Sequence, residues 1–479
     1  MEVRLKLLNL ARRLAGFLPE VRSPIGEIPL RQKSAYTAVS LLIFLVGSHL
    51  PLYLTGAHCT PESPAANPLY WKHGAGASNS NTVMALGVIP LLLSEAVVHL
   101  LLQRKIDRVR VNYYDPQGRM LLCGAQKLIA LLIAFALPIR DVLGDSIMST
   151  LDVILIVLQL FLGGVAIIFL DEVLKKGYGF LSGIPLFTAA NICTNHFWEA
   201  FSPYIRAYGE RHGDAHGAMV SSIFHHLIAR GDDDSFAMHK AFSHQDLPNR
   251  AGVVATCTFF LIVLSLQGFH VSLPLRSHNQ PALQANYRIR LSYLSFAPLI
   301  FQNVLVSILY SIPQLLYMKF GENNIVANLM GTWKESKYFG EAVPVSGIAY
   351  YVTRPPTLSD IGRDPVNTLL YAMLLLLGYA FLSTSTFELC AYSDQYVARL
   401  LGERRSVTLV QPNSVPQKQW RRYVAKVAFL VGLCIGALTM LASLTSVLGS
   451  GTGIMLAVTI IYSCVEWEGR RTSGAVFGL

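Results

Sequence analysis

Apolar residues in this chain gather in long blocks, separated by polar and often basic stretches. A membrane-crossing helix needs about 20 mostly apolar residues to pass a hydrocarbon core of roughly 30 Å. Ten blocks approach that length: residues 34–54, 86–103, 120–139, 150–171, 184–201, 251–272, 294–317, 366–387, 423–446 and 453–467. The pattern predicts an all-α polytopic membrane protein with ten transmembrane helices. Ahead of the first block, Val3, Leu7, Leu10 and Leu14 repeat at helical spacing among Arg4, Lys6, Arg12 and Arg13. That predicts a short amphipathic helix lying on a membrane surface, not a cleavable signal peptide.

Composition agrees with the blocks. Of 479 residues 52% are hydrophobic and only 14% are charged, with a mean hydropathy of +0.43. A soluble domain carries about 25% charged residues. Six of the seven cysteines (Cys123, Cys193, Cys257, Cys390, Cys434 and Cys464) fall in or beside blocks, and Cys59 lies in a loop. No disulfide framework is implied.

Charge sets an orientation. With ten spans both termini share one side, and Lys and Arg on that side outnumber those opposite by about two to one. The richer side holds the N-terminal segment, Lys175 and Lys176, Arg276, Arg288 and Arg290, then Arg399, Arg404, Arg405 and Lys418. The positive-inside rule makes it cytosolic, and the net charge of +10 suits anionic lipid or an RNA-rich partner there. Loops 202–250 and 318–365 on the far side are long, as is the basic cytosolic loop 388–422. Loops of such length are seldom structureless.

Motif chemistry excludes much. No phosphate-cradling GxxxxGK[ST], HExxH or GxSxG sequence occurs, and Gly449 to Gly453 lacks the lysine of a phosphate loop. His212, His216, His225, His226, His239 and His244 crowd loop 202–250, but no cysteine or carboxylate frame accompanies them, so no metal site is expected. Glu95 and His99 are four residues apart within the second span and share a helix face. Ionisable groups within a span are costly and usually face a cavity or partner. The pair suits either proton coupling in an inverted-repeat secondary transporter, or a polar stripe with His99 snorkelling outward. No nucleophile–base or paired-aspartate arrangement supports an intramembrane enzyme, and no cofactor is implied.

Several stretches resemble the SecY family, the channel subunit of the Sec translocon. They include Leu18-Pro19-Glu20-Val21, Leu42 to Val46, Gly124-Ala125-Gln126-Lys127-Leu128, Gly177-Tyr178-Gly179 through Ile184, and Asn191-Ile192-Cys193. Gln267-Gly268-Phe269, Leu329 to Trp333, Asp364-Pro365-Val366 and Gly432 to Leu438 follow, then Gly449 to Ile454 and Ala457 to Tyr462. They keep one order along nearly the whole chain and point to the eukaryotic branch, the α-subunit of the endoplasmic reticulum translocon.

The resemblance implies two five-helix halves related as inverted repeats and closed like a clamshell. It divides the chain into a cytosolic amphipathic segment 1–33, a first half 34–201, a lumenal loop 202–250, a second half 251–467 and a cytosolic tail 468–479. It implies passage of nascent polypeptide through the centre, and lateral release of signal sequences and transmembrane segments into lipid between spans two–three and seven–eight. Two small single-span subunits and the ribosome are the implied partners.

Site residues follow by position. The family's pore ring falls on Val88, Leu92, Ile184, Thr188, Ile300 and Leu456, where Thr188 departs from the usual aliphatic residue. The plug falls on about 67–84, beginning with Leu69, Tyr70 and Trp71 and ending at Met84. Lateral-gate positions that are often polar in the family are Leu93, Leu137 and Ile308 here. Ribosome docking falls on Arg276, Arg288, Arg290, Arg399, Arg404, Arg405 and Lys418, although the family's arginine-containing motif is replaced by Val407 to Gln411.

Overall fold

The computed structural model describes residues 20–24, 28–53, 76–79, 82–103, 116–142, 150–201, 250–268, 270–276, 284–320, 325–335, 342–352, 364–403, 417–445 and 451–477. Within lipid every backbone N–H and C=O must be satisfied inside the segment, so each apolar block folds as a helix. The first half holds α1 (Leu30–His49), α2 (Ile89–Gln103), α3 (Pro116–Val142), α4 (Thr150–Val173, running into a π-turn Leu174–Tyr178) and α5 (Gly183–Phe201). The second half opens with α6 (Arg250–Gln267) and a two-stranded antiparallel ribbon, β1 (His270–Arg276) and β2 (Gln284–Arg290). It continues through α7 (Leu291–Phe320), α8 (Ile325–Met330), a ribbon of β3 (Thr332–Glu335) and β4 (Ala342–Ser346), and α9 (Ile348–Val352). The long helices α10 (Pro365–Glu403), α11 (Gln417–Leu444) and α12 (Gly451–Phe477) complete it.

The ten long helices α1–α7 and α10–α12 lie over the ten apolar blocks. Among the described residues, by length and composition alone, four contain a stretch able to cross a membrane: Leu151–Tyr178, Pro298–Tyr317, Pro365–Ser385 and Ala425–Ala442. Five more are apolar over shorter stretches. The expected boundaries change in three places. The sixth span stops at Gln267, not near 272, because Val271, Leu273 and Leu275 alternate with polar residues and Pro274, and form a strand. Much of the basic loop 388–422 is helix, with α10 reaching Glu403 and α11 starting at Gln417. The tail is helical to Phe477.

Burial is inverted relative to a water-soluble protein. Leu42, Leu151, Phe381 and Leu430 stand exposed, while Ser94, Thr188, Gln302, Ser383 and Thr459 are buried. Exposed apolar surface on this scale needs lipid around it. The hydroxyls among these are satisfied within the bundle, whereas both side-chain polar atoms of Gln302 lack a partner among the described residues. Thr459 Oγ1 donates to the Met455 carbonyl and accepts from Gln267 Nε2 at 3.0 Å, which ties α6 to α12. One hydrophobic cluster runs through both halves, from Phe44 of α1 to Leu456 of α12, and α5 packing on α12 is the main contact between the halves. Between α7 and α10 in the chain, α8, the β3–β4 ribbon and α9 fold onto those two helices, with Trp333 packed against Tyr310 at 5.9 Å between ring centroids.

Candidate functional site

The positions expected to form the ring come from four helices. Val88 immediately precedes α2 and Leu92 lies in its first turn. Ile184 and Thr188 occupy the start of α5, Ile300 lies in α7 and Leu456 in α12. All six are buried, and the five apolar ones belong to the same hydrophobic cluster. Thr188 departs less than its name suggests. Its Oγ1 donates to the Ile184 carbonyl at 2.8 Å, one turn back, so the hydroxyl is satisfied within its own helix. What remains is a β-branched, valine-like surface.

Tertiary hydrogen bonds hold the first turns of α2 and α5, where backbone N–H groups lack intrahelical acceptors. Val88 N–H donates to the Gly76 carbonyl at 2.7 Å. Gly183 N–H donates to Asp171 Oδ1 at 2.7 Å across from α4. Phe187, one turn into α5, stacks on Phe44 of α1 with centroids 4.7 Å apart.

Asp171 belongs to an ionic cluster where α3, α4, α5 and the N-terminal segment meet. Asp171 Oδ2 pairs with Lys175 at 2.8 Å, and Glu172 pairs with Lys127 of α3, whose ammonium also lies 4.5 Å from the Phe169 ring centre. Lys176 reaches Glu20 and Glu172, each at 3.9 Å, and Val21 N–H donates to Glu172. Glu95 of α2 lies within electrostatic reach of Asp171 and Lys175. Of this cluster, only Lys175 and Lys176 bear on the topology expected from charge. The signal for more was there: Asp171-Glu172 stands four residues ahead of Lys175-Lys176, the spacing of helical ion pairs, at the end of a very apolar span.

Of the plug positions, Leu69, Tyr70 and Trp71 lie outside the described residues. Met84 is buried against Gly47 of α1; Thr82 forms a β-bridge with Pro51, and residues 83–88 form turns, not a helix. The stretch is pinned to the end of α1: Val83 N–H donates to the Leu50 carbonyl at 3.0 Å and Asn79 Nδ2 to the Ser48 carbonyl at 3.1 Å. The three gate positions differ in setting. Leu93 is half-buried in α2, Leu137 packs with Leu86, Ile156 and Leu160, and Ile308 is exposed on α7.

Arg276, Arg288 and Arg290 lie in the β1–β2 ribbon. Its register pairs Arg276 with Gln284, Ser272 with Arg288 and His270 with Arg290, which places all three arginine positions on one face. Arg399 lies in the last turns of α10 and Lys418 in the first turn of α11. Arg404 and Arg405 lie outside the described residues, as do the histidines of loop 202–250. Among the described residues no group of three potential metal ligands occurs.

Comparison with known proteins settles the family. The SecY family profile matches residues 82–465. The chain belongs to the SecY family. It is 38% identical over 482 residues to the protein transport protein Sec61 subunit alpha of Dictyostelium discoideum, across 99% of each chain. Among solved structures it is similar to a protein-conducting channel, with a TM-score of 0.70 and 22% identity over 96% of this chain and 97% of that one. It is also similar to Sec61 from the canine ribosome–channel complex of the endoplasmic reticulum, with a TM-score of 0.66 and 22% identity over 96% and 97%.

Proposed function

We propose that this chain is the pore-forming subunit of the endoplasmic reticulum protein translocon. It conducts nascent secretory polypeptides across the membrane and releases transmembrane segments into it. The observation that carries this reading is the convergence of Val88, Leu92, Ile184, Ile300 and Leu456 from four helices into one buried apolar cluster. A narrow apolar ring seals by dewetting and offers a passing chain no hydrogen bonds to grip it. The process needs no covalent chemistry. It takes place in a heterotrimer with two small single-span subunits, at the ribosome and within the lipid bilayer. A photoreactive probe in a stalled secretory chain should crosslink to Leu456 and Ile184. Crosslinking confined to the lipid-facing sides of α6 and α11 would refute the central path.

Both termini are cytosolic in this reading. Glycosylation acceptors inserted near Gly213 and near Lys337 should be modified, and one near Gln411 should not. Modification at Gln411 alone would overturn the arrangement.

The ribosome docks on the cytosolic loops between spans six and seven and between spans eight and nine. Arg276, Arg288 and Arg290 share one face of a ribbon, and α10 with α11 carries Arg399 and Lys418 beyond the apolar stretches that end at Ser385 and begin at Ala425. Basic side chains displace counterions condensed on RNA phosphate, so binding weakens steeply with salt. Charge reversal at Arg404 and Arg405 should weaken ribosome binding and lower its salt slope by about two. If affinity and slope are both unaltered, the contact lies on the ribbon, and reversal of Arg288 and Arg290 should then produce the loss.

A further inference from the structure

We infer that Asp171 is a positioning residue for the pore constriction. From α4 it holds the first turn of α5, and so fixes the depth at which Ile184 and Thr188 enter the ring. The inference rests on the ring assignment above and adds what sets the ring's geometry.

The carboxylate is buried, with a side-chain exposure of 4%, and both oxygens are engaged. Oδ1 accepts the Gly183 N–H at 2.7 Å, and Oδ2 meets Lys175 Nζ at 2.8 Å. Gly183 is the first residue of α5, where the helix carries partial positive charge and its leading N–H groups have no partner of their own. A carboxylate is therefore a strong acceptor for that end. The approach is close enough to demand glycine. A Cβ on Gly183 would lie 2.7 Å from Phe187 Cε2 and 3.0 Å from both Cα and Oδ1 of Asp171. Ile184 follows directly and Thr188 one turn later, so no slack separates the anchor from the two ring members. Val88 is held in the same way at the head of α2 by the Gly76 carbonyl. Two of the four ring helices are thus anchored by a tertiary acceptor within one turn of the ring.

The two bonds of Asp171 are not equivalent. The Lys175 side chain is 37% exposed and can turn to solvent when unpaired, so the ion pair is partly screened. The Gly183 N–H has no such escape. The positioning role therefore belongs to the hydrogen bond, not to the charge.

The test uses the full heterotrimer reconstituted in planar bilayers, with idle ion conductance as the first readout. Translocation of a reporter with a defective signal sequence is the second, and heterotrimer yield reports assembly. Asp171→Ala should raise idle conductance about five- to tenfold, the scale of one lost helix anchor, and should pass the defective reporter. Gly183→Ala, which wedges α5 away from α4, should do the same and decides the matter if Asp171→Ala fails to assemble. Asp171→Asn keeps an acceptor oxygen and should match the wild type, as should Lys175→Gln. Leu456→Asn serves as the control for the ring. If it raises conductance while Asp171→Ala and Gly183→Ala do not, the positioning role is refuted and the ring stands. If none of the three raises it, the ring assignment falls and the positioning role with it. Equal defects in Asp171→Asn and Asp171→Ala would refute the hydrogen-bond assignment.

Discussion

Leu456→Asn should make the idle channel leak ions by about one to two orders of magnitude more than the wild type. The side chain is fully buried in the shared cluster, in the second turn of α12. An amide buried there without partners costs roughly 2–7 kcal/mol, and drawing water into the ring relieves that cost. Hydration is what an apolar constriction exists to prevent. The same change should relax selectivity for signal sequences, because a wetted ring no longer favours the closed state. Two controls separate polarity from shape. Leu456→Met conserves volume and apolarity, costs less than about 1.5 kcal/mol, and should leave the leak near wild type. Thr188→Val replaces a hydroxyl already bonded to the Ile184 carbonyl and should also change little. Conductance of reconstituted channels decides. A tight seal with Asn at position 456 would place the constriction elsewhere.

Residues that a local pattern governs were legible in the sequence, and residues that only a tertiary neighbour governs were not. Hydrophobic length is local, so the blocks marked the helices well. Their ends were less legible. Helix α10 runs on through Ser393-Asp394-Gln395, polar residues that end an apolar block without ending a helix. Conversely, the sixth block, ending at 272, takes in Val271, which with Leu273 and Leu275 has the period of two of a strand. The ring positions carry no mark of their own, since Val88 or Ile300 alone reads as ordinary packing. Only the resemblance singled them out, and the structure places the five apolar ones in one cluster. The ion pair of Asp171 had a local signal in its spacing to Lys175, but its hold on α5 had none. The partner there, Gly183, is twelve residues away across a turn, and a backbone N–H leaves no trace in a sequence.

The same distinction between side-chain and backbone contacts yields an expected contrast at two glycines. Gly87→Ala should open the idle channel strongly, and Gly47→Ala should barely affect it. Gly87 sits at φ +51°, a left-handed conformation that residues with a Cβ adopt at a cost, in the turn that leads into α2. A Cβ there would lie 2.2 Å from the Gly76 carbonyl oxygen and 2.8 Å from that of Ala77. Both obstacles are backbone, so no side-chain rotation relieves them and the turn itself must move. Gly76 is also the residue whose carbonyl holds Val88 N–H, so the displacement passes directly to a ring position. Backbone strain and overpacking each cost about 1–3 kcal/mol, and here they act together. A Cβ on Gly47 would come nearly as close, 2.6 Å from Met84 Cε and 2.8 Å from its Cγ, but these are side-chain atoms of a flexible thioether that can rotate aside. That substitution should cost toward the low end of the roughly 1–3 kcal/mol of overpacking, with no backbone strain added. Idle conductance and heterotrimer yield measured for both variants decide the contrast. A tight, well-assembled Gly87→Ala channel would remove residues 76–88 from the seal. Equal leaks from the two variants would mean that the seal depends on the Met84 side chain, not on the backbone of the turn that carries Val88.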